Sequence, residues 1–500
     1  MAITLQIDLN YDFIILAYHL GVSMSDEYQG SGNMNFRRDM FILIGVISVL
    51  AFTLSRFGFN NSQIIASSIL VSAVIGSLLF WGFRVAIAFL GIGVLLITKT
   101  MDIEHFIEFA SLDVIVFLVG MMTIVGMLKD VGFFRWLMIK IVKVTNFEAG
   151  KLIFVFCVLS AFLAMAIDEV TSIIFVTAVL LEITDYFDVN PVPYVIACVM
   201  ATNIGSSGTV LGNPIGILIA MRGGLSFEEF IVWAFPIAMI SLVATIVIIF
   251  LWYRNDIALF RSKIRLKMRS SDKLAFQDEW EFVPDRNEFK IGLIIFVSTI
   301  ALIAMHRRLE TMFDLPHNTL LIFSSLAGAS MVMFWKRTKA RDYIEKDVDW
   351  WSLIFFLMLF AIGGTLKYTG TTDIIARAVA SLASSTPVLA TIILWIASIG
   401  SSILDNVVLV AALIPVIESF KSLGIYTYPL WWALLFGGCY GGNITMVGST
   451  ANIVALGILE KRKKYSMSFL KWFKIGLIVG LVSTLIANLI LVFLIPYMPK

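Results

Sequence analysis

Apolar runs of about twenty residues recur along this chain from Met40 to Pro499, separated by short polar stretches. A hydrocarbon core roughly 30 Å thick needs about 20 such residues in a helix, so each run reads as one membrane span. Spans are expected near 40–55, 64–83, 85–99, 111–128, 191–220, 230–252, 290–305, 317–335, 351–366, 429–457 and 472–497, eleven in all. Two further apolar stretches, 151–182 and 387–419, carry charge at their centres, Asp168-Glu169 and Asp405. With roughly 15 apolar residues on either side, each arm is short for a full span, so each stretch reads as a re-entrant hairpin entering and leaving on one face. The fold class that follows is an all-α polytopic membrane protein of about eleven transmembrane helices.

Composition supports the pattern: 59% of residues are hydrophobic and 14% charged, and the mean hydropathy is +0.92. Water does not hold such a chain, which excludes soluble enzymes and nucleic-acid binders and makes the lipid bilayer its first partner. The net charge of +2 points to no acidic partner, so charge placement carries the information. The longest polar segment, 253–289, holds Arg254, Arg261, Lys263, Arg265, Lys267, Arg269, Lys273 and Arg286 and is expected on the cytoplasmic side, where Lys and Arg are retained. Counting spans from it puts Arg37 and Arg38 inside and Lys500 outside, in the plasma membrane. Residues 1–38 have no basic region ahead of the short run Phe13–Tyr18 and read as an interfacial segment, not a cleaved signal peptide. Cys157, Cys198 and Cys439 sit in apolar stretches as packing residues. His19, His105, His306 and His317 are scattered, so neither a metal cluster nor a histidine relay is expected, and no P-loop or other cofactor motif is present.

Sliding the chain on itself by about 237 residues pairs Leu128-Lys129 with Leu366-Lys367, Asp168 with Asp405, Thr209 and Gly212 with Thr445 and Gly448, and Trp233 with Trp472. Matched loops carry opposite charge bias. Asp102, Glu104 and Glu108 face Lys336, Arg337, Lys339, Arg341 and Lys346, and the single Arg222 faces Lys461, Arg462, Lys463 and Lys464. Two copies with opposite loop bias are expected to be inverted about an axis in the membrane plane, an arrangement used for alternating access. The expected organisation is peripheral helices at 39–100, a first repeat at 101–252, the basic linker at 253–289, peripheral helices at 290–335 and a second repeat at 336–500.

Each copy contains a broken span. The stretch from Asn203 through Ser206, Ser207 and Thr209 to Asn213-Pro214 is too rich in glycine, hydroxyl and amide residues to stay helical at mid-depth. Asn443, Thr445, Ser449, Thr450 and Asn452 repeat the pattern. Unwound backbone in lipid must be satisfied, so a cavity holding water, ion or substrate is expected to face both breaks, with half-helix ends supplying partial charge. Carboxylates at the hairpin tips, Asp168-Glu169 and Asp405 beside Asn406, are candidates for ion coupling; the competing reading is that one of each pair caps the following helix.

These residues resemble the ArsB/NhaD-type permeases of the ion-transporter superfamily. The resemblance rests on Phe117-Leu118-Val119-Gly120, on Asp168-Glu169-Val170-Thr171, and on Asn203-Ile204-Gly205 followed by Gly212-Asn213-Pro214. In the second half it rests on Leu404-Asp405-Asn406-Val407 and on Gly441-Gly442-Asn443 followed by Gly448-Ser449-Thr450-Ala451-Asn452, and it covers roughly 40–497. It implies two hairpins and two broken helices around a central site, in a homodimer. Relatives of that type move arsenite, exchange sodium for protons, export silicic acid or carry divalent anions with sodium. Glu169 departs from the amide common at the first tip, and Ser206-Ser207 stand where glycine is frequent.

A site ringed by Asp168, Glu169 and Asp405, with no Lys or Arg close to either break in the sequence, repels multivalent anions unless they are neutralised. The expected function is therefore a proton- or sodium-coupled secondary transporter of a small inorganic ion, such as metalloid efflux or Na+/H+ exchange. Sodium-coupled carboxylate symport is the alternative, and an intramembrane enzyme lacks a visible nucleophile-base pair.

Overall fold

The structure, a computed structural model, describes residues 32–145, 148–270, 279–461 and 467–499. The interfacial segment expected before residue 32, and Lys463 and Lys500, lie outside the described residues. All regular structure among the described residues is helical.

The first half runs α1 (Gly32–Arg56), α2 (Asn61–Leu79), α3 (Arg84–Ile97), α4 (Ile103–Phe109), α5 (Leu112–Asp130), α6 (Phe133–Val144), α7 (Ala149–Ala166), α8 (Glu169–Tyr186), α9 (Val192–Gly205), α10 (Pro214–Gly223) and α11 (Phe227–Trp252, with one π-turn). The linker forms α12 (Arg254–Ser270) and a short turn, Glu279–Phe282. The second half runs α13 (Arg286–Met312), α14 (Thr319–Trp335), α15 (Trp350–Tyr368), α16 (Thr371–Ser381), α17 (Thr386–Ser401), α18 (Asn406–Ser422), α19 (Tyr428–Gly441), α20 (Thr450–Lys461) and α21 (Phe469–Leu494). From α5 to α10 the boundaries fall on those of α15 to α20 at an offset of about 237 residues, and they do so at helix ends, where sequence pattern alone is least informative.

Among the described residues eight helices are long and apolar enough to cross a membrane, or up to nine if α16 and α17, bent by 119° at their break, form one span. Eleven were expected. The difference has identifiable causes: α3 and α14 stop at 14 and 17 residues, and the runs 191–220 and 429–457 are each two short helices. Conversely α7, one of the hairpin arms expected to be short, is an 18-residue candidate span, because its helix starts before Lys151 and absorbs that charge at its end. The apolar-run reading also passed over α6, α12 and α16, whose polar faces keep their mean hydropathy down although each is helical.

The chain clusters into two compact units. Among the described residues one holds 116–348 with 443–487, and the other 32–115 and 349–442 with 488–499. In the first unit, α7 and α8 form the first hairpin and α9 lies against α7. Its closest approach is at Gly205, where a Cβ would stand 2.4 Å from the carbonyl oxygen of Ala161. Ser160 Oγ donates to the Cys198 carbonyl (3.1 Å) on the same seam. In the second unit, α17 and α18 form the second hairpin, and Gly441 of α19 comes so near α17 that a Cβ would stand 2.1 Å from the Ser398 carbonyl oxygen. Gly132 and Gly370, with φ of 81° and 75°, cap the start of α6 and α16 in a left-handed conformation that favours glycine.

Candidate functional site

The hairpin tips are built by helix capping. The chain leaves α7 at Ala166 and re-enters a helix at Glu169, and the Asp168 carboxylate accepts the Thr171 N–H (2.8 Å). At the second tip Asp405 accepts from Val407 N–H (3.1 Å) and Val408 N–H (3.4 Å) at the start of α18. Both aspartates therefore do what Asp does at an N-cap, satisfying amide groups that a helix start leaves open. Asn406 turns its amide oxygen back onto Val407 N–H (2.9 Å).

The two breaks follow the same logic. Asn213 caps α10, its Oδ1 accepting from Gly216 N–H (2.9 Å), with Pro214 at the first helical position, where its missing N–H costs nothing. Ser207 Oγ donates to the Ile204 carbonyl (2.8 Å), and Thr209 Oγ1 donates to the Met165 carbonyl beside the first tip. In the second break Thr445 Oγ1 accepts from Val447 N–H (3.3 Å), and Asn452 Nδ2 donates to the Thr445 carbonyl (2.9 Å). Trp472 Nε1 donates to the Asn443 carbonyl (3.1 Å). Much of the unwound backbone is thus satisfied by side chains of the breaks themselves, and the hydroxyls of Ser207, Thr209 and Thr445 bond to backbone.

What remains converges on Glu169, the second residue of the first tip, which is 2% exposed. Within the first unit its carboxylate accepts from Asn213 Nδ2 (3.3 Å) in the first break and from Ser449 Oγ (3.4 Å) in the second. Asn213 Nδ2 also reaches Ser206 Oγ (3.0 Å). Ser449 Oγ lies 3.1 Å from Asn203 Oδ1, and Asn203 Nδ2 donates to both Asn443 Oδ1 (2.9 Å) and Asn452 Oδ1 (2.8 Å). One carboxylate, two hydroxyls and four amides therefore form a connected, fully buried network joining a hairpin tip to both broken segments.

Of the residues singled out by sequence, Glu169, Asn203, Ser206, Asn213, Asn443, Ser449 and Asn452 come together in this network, and Thr445 joins through its carbonyl. Asp168 and Thr171 are half-buried and bonded to each other at the tip. Thr450 begins α20. Asp405 and Asn406 belong to the other unit. That unit holds a residue that chain proximity did not suggest. Arg84, at the start of α3, is the one Lys or Arg among the described residues that is buried. Its Nη2 donates to Ser352 Oγ (2.9 Å), its guanidinium lies over the rings of Trp81 (4.0 Å) and Phe355 (4.9 Å), and the charges of Asp405 and Asp349 act on it. The signal was an arginine in the apolar turn Trp81-Gly82-Phe83-Arg84, which falls between the expected spans 64–83 and 85–99. Among the described residues, no group of three or more His, Cys, Asp or Glu side chains is placed to hold a metal ion.

An all-helical chain with eight candidate spans among the described residues and a buried polar network at interrupted helices is a multi-pass membrane protein, and comparison with known proteins makes it a transporter. The citrate transporter family (CitMHS) profile matches residues 77–437, and the chain belongs to that family. It is 32% identical to the uncharacterized transporter Rv2684 of Mycobacterium tuberculosis, over 76% of this chain and 85% of that one. It is 29% identical to a 46 kDa membrane protein of Mycobacterium leprae, over 76% and 85%. Human P protein shares 23% identity over 76% of this chain, which spans 53% of that longer protein. The YdaH transporter of Alcanivorax borkumensis has a similar fold, with a TM-score of 0.51 and 17% identity over 81% of this chain and 89% of that one.

Proposed function

We propose that the protein is a proton-coupled secondary transporter working by alternating access, with Glu169 as the coupling group. The observation that carries this reading is the position of Glu169, a buried carboxylate whose named partners, Asn213 and Ser449, come from the two different breaks. As a carboxylate it accepts hydrogen bonds from both; as a carboxylic acid one oxygen becomes a donor, and the neighbour on that side must reorient. Binding or releasing one proton therefore changes how the tip engages the broken helices. The inverted relation of the two halves, read from opposite loop charge, supplies the two access states. On the basis of charge the transported species is a small inorganic ion of the kind carried by ArsB/NhaD-type permeases, with sodium as the alternative coupling ion, in a homodimeric plasma-membrane protein.

A second reading, carboxylate symport, is favoured by the citrate transporter family and by the buried cation Arg84, which the charge argument from sequence had not counted. Reconstitution into liposomes separates the two. Flux of sodium, arsenite, silicic acid and citrate would be followed under imposed pH or sodium gradients, with an internal pH indicator. Proton movement that depends on one of these substrates, and loses its pH dependence in Glu169→Gln, is the expected result. Flux indifferent to both gradients would refute secondary coupling, and an unchanged pH profile in the variant would remove Glu169 from it.

A further inference from the structure

The helix α12 follows α11 after a single residue, Tyr253, and α11 ends in Leu251 and Trp252, which are 69% and 44% exposed. An exposed tryptophan at the end of a span marks the depth of the lipid headgroups. The next helix starts at that depth and runs across the ends of other spans. Its buried side, Ile257, Phe260 and Ile264, packs there: the Phe260 ring lies 5.9 Å from Phe187 beyond α8 and 5.1 Å from Tyr194 at the start of α9. Tyr194 OH donates to the Asp256 carbonyl (2.9 Å). Two of its basic residues are occupied in this seat, Lys263 with Asp188 (3.2 Å) and Lys267 with the Tyr186 carbonyl at the end of α8.

Three further basic residues differ in kind. Arg254, Arg261 and Arg265 are exposed, and none makes an ion pair or hydrogen bond among the described residues. At spacings of seven and four they form one row, since residues 7 and 11 apart return to nearly the same side of an α-helix. Leu259 and Leu266, also seven apart, are 53% and 65% exposed and run beside Ser262 on the solvent side. Water gives exposed leucines no reason to sit on a helix otherwise this polar, whereas a membrane surface accommodates both: acyl chains take the leucines, and guanidinium forks pair with phosphate oxygens.

We propose that α12 is a docking surface for anionic phospholipid, with Arg254, Arg261 and Arg265 as its headgroup ligands. Clusters of basic residues directly after a span are drawn to anionic leaflets by surface potential, and the helix is seated by its opposite side on the first hairpin and α9. Lipid charge therefore acts on the part of the molecule that carries Glu169. The inference depends on the geometry of α12 and not on the coupling reaction.

Because Cys157, Cys198 and Cys439 are buried, a single Ser262→Cys label with an environment-sensitive fluorophore reports from the solvent side of α12. The full-length labelled protein is compared in phosphatidylcholine vesicles with and without about one-third phosphatidylglycerol, the proportion at which surface potential becomes substantial. The expected result is a blue-shifted emission that requires phosphatidylglycerol, weakens in high salt, and is reduced by at least half when Arg254, Arg261 and Arg265 are all changed to Gln. The thermal unfolding midpoint of the same samples is expected to rise with phosphatidylglycerol in the parent protein and less in the triple variant. Identical spectra and midpoints in both lipids would overturn the proposal. A shift that tracks protein density instead of lipid charge would overturn it in favour of a contact between copies, and a shift equal in both lipids would reduce it to apolar contact without headgroup recognition.

Discussion

The two hairpin tips are built on one plan and finish differently. Each begins with an aspartate that caps the next helix, Asp168 through Thr171 N–H and Asp405 through Val407 and Val408 N–H. The next residue diverges: Asn406 bonds its own neighbour's backbone, whereas Glu169 extends to Asn213 and Ser449. Structural work thus falls to the first position of each pair, and the second position is free to vary. Both tips keep the cap, and one of them carries a network carboxylate. The aspartates, the first candidates for coupling by position in the sequence, each cap the helix that follows them.

The largest effect that tests this contrast is on flux. Glu169→Gln keeps the shape of the side chain but cannot take up a proton, so gradient-driven transport in liposomes is expected to fall at least about tenfold, the scale of losing a positioned acid-base group. Asn406→Ala removes the bond to Val407 N–H, so flux is expected to stay within about twofold while stability drops by roughly 0.5–1 kcal/mol. Equal losses in the two variants would erase the distinction between the tips.

Next in size are the seams behind the tips. Adding a methyl group at Gly205 or Gly441 forces a backbone carbonyl aside, and each Gly→Ala is expected to lower stability by about 1–3 kcal/mol, the usual range for overpacking, read as a reduced unfolding midpoint in detergent. Here the halves should behave alike; a large effect in only one would show that they are packed differently. Smaller again is the cap itself. Asp168→Ala is expected to cost about 1 kcal/mol and Asp168→Asn only a few tenths, because Asn caps nearly as well as Asp. Flux abolished in Asp168→Asn with stability intact would return the coupling role to that residue.

The smallest effect lies at the arms leading to the hairpins. Lys143 of α6 holds Glu279 of the linker, and chiefly this bond keeps the Glu279 carboxyl below its usual range. A depressed acid stabilises the fold above its ordinary pKa, and that stabilisation disappears as pH falls through the lowered value. Glu279→Gln should therefore cost about 0.5 kcal/mol at neutral pH, the scale of a partly exposed ion pair, and nothing under strongly acid conditions. The arm of the second hairpin is tied by neutral hydroxyls, Thr372 to Ser419 (2.8 Å), so Thr372→Val is expected to show no such pH dependence. Melting curves of both variants between neutral and acid pH would test the pair.

Sequence made the membrane class legible because hydropathy is a property of runs, and the breaks at 203–214 and 441–452 were legible because glycine, hydroxyl and amide residues do not hold a continuous helix at mid-depth, although the runs around them were still counted as spans. Legibility failed where helices were amphipathic, as in α6 and α16, since polar faces cancel apolar ones in any running average. It also failed at Arg84, whose surroundings, Ser352 and Phe355, lie far along the chain. Among the site residues, the amides of Asn203, Asn213, Asn443 and Asn452 could be named from the motif. Which of the tip carboxylates faced them could not, because Asp168 and Glu169 differ by one residue at a helix start and only the capping geometry separates their directions.

The glycine seams also bear on mechanics. A helix that touches its neighbour's backbone can neither slide nor roll along it without opening a void, so α7 with α9, and α17 with α19, are stiff levers. Ahead of these packed pairs Gly132 and Gly370 stand in left-handed turns at the start of α6 and α16. The two stand at matching places in the chain, so Gly132→Ala and Gly370→Ala, which force a Cβ into that backbone angle, are expected to lower the unfolding midpoint to a similar extent.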